Sequence, residues 1–176
     1  VLPLSKFAYT DQSCSNEPDG ADKQQAQQFR IKGFQRLSKG GDDQRTDMLA
    51  MKQQLAQGSP VVIGVMVGGS FMQDMEGRDA WIPTQADYRM AGFGGHAMCV
   101  IGYDDYKEGG AFQVMNSWGP VWGKDGLAWV RYSVFDFCAK EAYAVYPQGA
   151  CVDVKSATCD IRFGLVQPGL QIRELG

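Results

Sequence analysis

Three apolar runs of strand length follow one another between residues 96 and 132, and they constrain the fold of this 176-residue chain more than any other feature. They cover 96–103, 111–116 and 127–132. The polar stretch Asp104-Asp105-Tyr106-Lys107-Glu108-Gly109-Gly110 joins the first two, and the glycine-bounded stretch 119–126 joins the last two. Turn residues between runs of this length make hairpins, so the three runs predict neighbouring antiparallel strands. The 22 glycines likewise favour a loop-rich, strand-containing fold over a helical bundle.

Upstream, Pro-Val-Val-Ile-Gly-Val-Met-Val over 60–67 reads as a buried strand interrupted by Gly64. A helix precedes it. Thr46 or Asp47 can cap, Met48, Met51 and Leu55 recur at helical spacing, Gly58 is a stop and Pro60 forbids continuation. Residues 1–45 read as irregular apart from an alternating strand over 29–34. Residues 68–95 form a long loop, and loops of that length inside a compact domain are usually functional. Residues 135–145 read as a returning strand. The character of the chain then changes, with Cys151, Cys159 and Pro168-Gly169 in short alternating runs. This divides it into 1–147 and a C-terminal extension, 148–176, which is a strand pair or the start of another module.

A net charge of -3 and a pI near 5.1 argue against nucleic acid and anionic membrane surfaces as partners. No apolar run is long enough to span a bilayer. The five cysteines, Cys14, Cys99, Cys138, Cys151 and Cys159, match no zinc spacing, and the single histidine cannot complete a His-rich site. Neither metal nor cofactor is expected. Cys151 and Cys159 flank a short polar loop and either form a disulfide, which favours a secreted or periplasmic setting, or stay reduced in a cytosolic one.

That single histidine, His96, opens the first run of the meander, and Asn116 closes the second. Alternate residues of a strand share a face, so His96, Met98 and Val100 lie on one side and Ala97, Cys99 and Ile101 on the other. A hairpin folded near Tyr106 sets His96 opposite Asn116, where Cβ atoms are about 4.5–5.5 Å apart. An amide oxygen at that distance can orient an imidazole and fix its tautomer, the task of the third member of a Cys-His-Asn set. Trp118 follows closely enough to cover the contact against water.

Gly-His-Ala-Met, then Ile-Gly-Tyr-Asp, then Asn-Ser-Trp-Gly-Pro-Val-Trp-Gly-Lys-Asp-Gly-Leu-Ala-Trp-Val closely resembles the C-terminal half of papain-like cysteine peptidases. The segment 7–14, Phe-Ala-Tyr-Thr-Asp-Gln-Ser-Cys, is similar to the family's Pro-Tyr segment, and the resemblance reaches from about residue 7 to 147. It implies an α+β fold: an antiparallel β-sheet or half-barrel with few helices, the N-terminal helical half being absent from this chain. It also implies His96 as catalytic base, Asn116 as its orienter and Trp118 as their shield. Gly64, Gly95 and Ala97 would lie at the substrate cleft. Many family members carry Asp or Asn where this chain has Gly95, and the small residues suggest a roomy apolar pocket.

The family's nucleophile is a Cys at a helix N-terminus in a Gln-Gly-x-Cys-Gly-Ser-Cys-Trp-like motif, where the helix dipole and the imidazolium lower its pKa. It precedes the His by about 130–150 residues, which from His96 falls before residue 1. Cys99 is on the wrong strand face, Cys14 lacks helix-start signals, and Cys138 reads as a buried structural residue. Cys151 lacks the following Gly-Ser-Cys-Trp. The implied function is peptide-bond hydrolysis in which this chain supplies His and Asn to a peptide or protein substrate. The Cys would come from a complementary helical half, either a second chain or a missing N-terminal segment. The alternative is a catalytically inactive papain-like domain that binds or regulates other proteins.

Overall fold

A computed structural model describes residues 15, 17–39, 45–89 and 92–147 of the chain. Cys14, Cys151, Cys159, the segment 7–14 and the extension 148–176 lie outside the described residues. The described residues fall into two compact units, one within Phe34–Val145 and a smaller one that includes 17–33. In the smaller unit, helix α1 (Gly20–Ala26) is capped by Asp19, whose carboxylate accepts from Asp22 N at 2.8 Å, and a 3-10 turn (Gln27–Phe29) follows. Helix α1 buries none of its residues. It therefore has no apolar stripe to betray it, and the reading of 1–45 as irregular missed it. Strand β1 (Ile31–Arg36) begins two residues later than the expected 29–34 run.

The remaining elements are α2 (Met48–Ala56), β2 (Val61–Val67), α3 (Ser70–Gln73), β3 (Ala80–Trp81), β4 (Gly94–Asp104), β5 (Ala111–Met115), β6 (Leu127–Arg131), α4 (Tyr132–Cys138) and β7 (Ala139–Pro147). The strands form one sheet in the order β1-β7-β2-β4-β5-β6-β3. The meander β4-β5-β6 is antiparallel, as are β2-β4 and β2-β7. The short edge strand β3 runs parallel to β6, so the sheet is mixed rather than wholly antiparallel.

Local chemistry sets these elements. Asp47, not Thr46, caps α2 by accepting from Ala50 N at 3.0 Å, and Gly58 past its end takes φ +79°. In β2 every second residue, Val61, Ile63, Val65 and Val67, is buried, while Val62 remains 36% exposed. The strand is thus covered on one side only. Residues 135–145 are not one strand: Val134, Phe135 and Cys138 are buried together along α4, and the chain turns extended only at Ala139. Helix α4 packs on β2, β5 and β6, with the Phe135 ring 4.8 Å from that of Phe112.

Candidate active site

His96 lies in β4 beside Val65 of β2, and Asn116 stands immediately past the end of β5. The His96 Nε2 is 2.8 Å from Asn116 Oδ1. The same oxygen accepts from the Ser117 backbone N–H at 2.8 Å. A peptide N–H can only donate, so the amide atom it meets is the oxygen. Nε2 must then be the donor to that oxygen, and in the neutral ring Nδ1 is left unprotonated. The backbone of Ser117 therefore decides the imidazole's tautomer through the Asn116 amide. Asn116 is 8% exposed, which strengthens both bonds.

The expected direct pairing of His96 with Asn116 is off by one strand position on the same face. The β4–β5 ladder runs Asp104↔Ala111, Tyr103↔Phe112 and Gly102↔Gln113, then shifts between Val100 and Gly102 to Val100↔Val114 and Cys99↔Met115. Continued from Cys99↔Met115, the ladder sets Asn116 against Met98, so His96 reaches it diagonally. The shift matters more than the offset. Without it, Asn116 would fall opposite Cys99 and project from the other side of the sheet.

Trp118 lies over the imidazole, ring centroids 4.5 Å apart and planes 27° from parallel. It is 40% exposed, and its edges meet Phe71 at 5.9 Å and Trp122 at 6.1 Å. Phe71 is the buried centre of this cluster, 4.9 Å from both Trp81 and Trp122. The Trp122 indole donates to the Phe71 carbonyl at 2.9 Å, and the Trp81 indole to Ser70 Oγ at 3.0 Å.

Beneath it lies Asp87, 2% exposed, a residue that the reading of 68–95 as an undivided loop missed. Its carboxylate accepts from Ser70 N (3.0 Å), Ser70 Oγ (2.6 Å), Thr84 N (2.6 Å) and Thr84 Oγ1 (2.8 Å). Burial pushes this carboxyl upward, yet the bonds from Ser70 and Thr84 outweigh it and hold the group below its ordinary value. A signal was present: Thr84-Gln85-Ala86-Asp87 has the capping-box spacing, and Asp87 reaches back to the Thr84 N–H. Gly69 takes φ +50° and ψ -126°, and a Cβ there would lie 2.2 Å from Asp87 Oδ1, so only glycine fits.

Gly64, Gly95 and Ala97 fall on the opposite face from His96. In the ladder Gly64 pairs with Ala97 and Met66 with Gly95, while His96 pairs with Val65. Glu141 of β7 pairs with Gly64 on the same face. A Cβ at Gly64 would meet Glu141 Cβ at 3.4 Å and Oε2 at 3.5 Å. The strip of small residues therefore has a carboxylate across it. The glycine keeps the ground low and the acid crosses it.

Two thiols belong to the described residues, and neither is placed to attack beside His96. Cys99 occupies the opposite strand face, and burial pushes its thiol upward. Cys138 is buried in α4, donates weakly to the Phe135 carbonyl at 3.8 Å and is pushed up by burial to about 12. Such thiols stay protonated at neutral pH.

The chain belongs to the papain family of cysteine proteases, whose family profile matches residues 4–148. It is similar to xylellain, a cysteine protease from Xylella fastidiosa, at 26% identity and TM-score 0.62, over 82% of this chain and 55% of that one. It is 34% identical over 76 residues, 43% of this chain, to an uncharacterized peptidase C1-like protein of Acanthamoeba polyphaga mimivirus, and covers 24% of it. It is 32% identical over 104 residues, 58% of this chain, to the cathepsin B-like protein CP2 of Giardia intestinalis, and covers 33% of it. The chain thus spans about a quarter to a third of the length of these curated relatives.

Proposed function

We propose that this chain supplies the base and the orienting amide of a cysteine peptidase that hydrolyses peptide bonds in a peptide or protein substrate. The observation that carries this reading is the His96–Asn116 bond of 2.8 Å with Asn116 Oδ1 also held by Ser117 N. That arrangement presents Nδ1 as the proton acceptor. A thiol paired with it would give up its proton to form an ion pair, and the thiolate would attack the scissile carbonyl. The imidazolium would protonate the leaving amine, and the neutral ring would then activate water to cleave the thioester. Trp118 keeps water from the His96–Asn116 bond throughout.

The nucleophile comes from a complementary segment carrying the catalytic Cys, on a second chain or elsewhere in the same protein. The segment with the Cys approaches from the His96 side of β4, and the half-exposed strip of Val62, Gly64, Ala97 and Cys99 is left to substrate side chains. There Glu141 beside Gly64 favours a cationic substrate side chain. The test is a thiol-directed peptidyl epoxide applied to the complete protein, followed by mapping of the labelled cysteine. Labelling lost in His96→Ala supports the reading. A complete protein that turns over no peptide and takes no label is the inactive, protein-binding domain instead.

A further inference from the structure

The base and its orienter are fixed by backbone and amide, but the ring that covers them is fixed by a different part of the molecule. Trp118 is 40% exposed, and its ring meets the rings of His96, Phe71 and Trp122. Phe71 sits in α3, a single turn of four residues, Ser70–Gln73, too short to hold itself together. What holds it is external: Trp122 grips the Phe71 carbonyl, and Asp87 grips Ser70 by both backbone and hydroxyl. Asp87 also ties this turn to Thr84 and, through Ser70 Oγ, to the Trp81 indole. Every partner of the carboxylate is a donor. A buried anion with that many donors costs far more to disturb than an ordinary core hydrogen bond.

We propose that Asp87 is a positioning residue for His96, acting through Ser70, Phe71 and the Trp118 ring. It does not touch the imidazole. It fixes the turn that carries Phe71, Phe71 buttresses Trp118, and Trp118 sets the orientation and dryness of the His96–Asn116 bond. Asp87→Asn keeps the shape of the side chain but turns one acceptor oxygen into a donor facing donors, so the isosteric variant breaks the tie. The catalytic consequence rests on His96 being the base; the effect on the ring does not.

The experiment is NMR of the His96 ring protons in the complete protein, assigned by their loss in His96→Gln, alongside steady-state kinetics. Stacking against Trp118 displaces these protons by the indole ring current, and Trp118→Ala defines the unstacked position. Asp87→Asn is expected to move them toward that position and to lower kcat roughly tenfold with KM unchanged, the signature of lost orientation. Ser70→Ala, which removes one bond to Asp87 and the acceptor for Trp81, is expected to move them part of the way and provides the reading if Asp87→Asn does not fold. Ring protons left at the wild-type position in the folded variants, with only a lower Tm, would overturn the proposal and make Asp87 a structural residue. Displaced ring protons in a protein whose wild type hydrolyses no peptide would leave the positioning intact and remove the peptidase reading.

Discussion

Strand β4 presents two faces built on opposite plans. On one, His96 is bonded to Asn116, stacked by Trp118 and backed by the buried residues Met98 and Val100. On the other, Gly95, Ala97 and Cys99 are small, half-covered or exposed, and the neighbouring strand adds Val62 and Gly64. The first face is closed by the chain's own bonds. The second is a shallow strip whose one charged neighbour in the β2 ladder is Glu141. The bond that orients an imidazole needs fixed distances and can be completed within one sheet. Substrate contact needs a concave site, which a flat sheet face acquires only when something else lies against it.

The contrast breaks most severely at His96. His96→Ala in the complete protein is expected to reduce kcat/KM by on the order of 10³-fold or more, since proton transfer itself is lost. Asn116→Ala should cost less, about 10–100-fold, carried in kcat, because the ring remains but its orientation does not. Equal losses in the two variants would mean that Asn116 does more than orient. On the other face, Gly64→Val should raise KM roughly tenfold by crowding Glu141 while leaving the His96 ring protons where they are, and a fall in kcat instead would mean the faces are coupled.

Two smaller effects sharpen the difference. Asp87 has its pKa held below the ordinary 3.8, so it stabilises the folded protein above that pH, and the contribution is lost as pH falls through its folded value. Acid unfolding followed by tryptophan fluorescence should show a steeper loss of stability below about pH 4 in the wild type than in Asp87→Asn. Finally, Cys99 lies on the open face yet has a raised pKa. Iodoacetamide at neutral pH should label it slowly in the folded protein and quickly after denaturation. Rapid labelling in the folded state would mean that its burial is transient.

Much of this was legible where a local rule met a long-range one. Asp47, Met51 and Gly58 marked α2, and the strands of the meander fall within two residues of the apolar runs that announce them. Strand parity gave the alternation along β4, but the side from which Asn116 projects depends on the register shift. What escaped was structure without a periodic signal. Helix α1 buries nothing, and α4 begins straight after β6 with Tyr132, so its apolar residues from Phe135 on read as the start of a returning strand. Asp87 is polar and lies in a stretch with no long element, where only tertiary contacts give a carboxylate its meaning. The shift between Val100 and Gly102 left no mark in composition at all.

That shift sets a rule for how the chain can change length. Since it decides through which side of the sheet Asn116 projects, adding or removing one residue between His96 and the end of β4, or within β5, would carry the amide away from the imidazole while leaving most of the ladder intact. The turn beyond Asp104 and before Ala111 is under no such restriction, because its residues are outside the paired positions. Length variation compatible with a bonded His96 and Asn116 is therefore confined to that turn, and a deletion scan across 99–116 should find tolerance there and a sharp boundary at each strand.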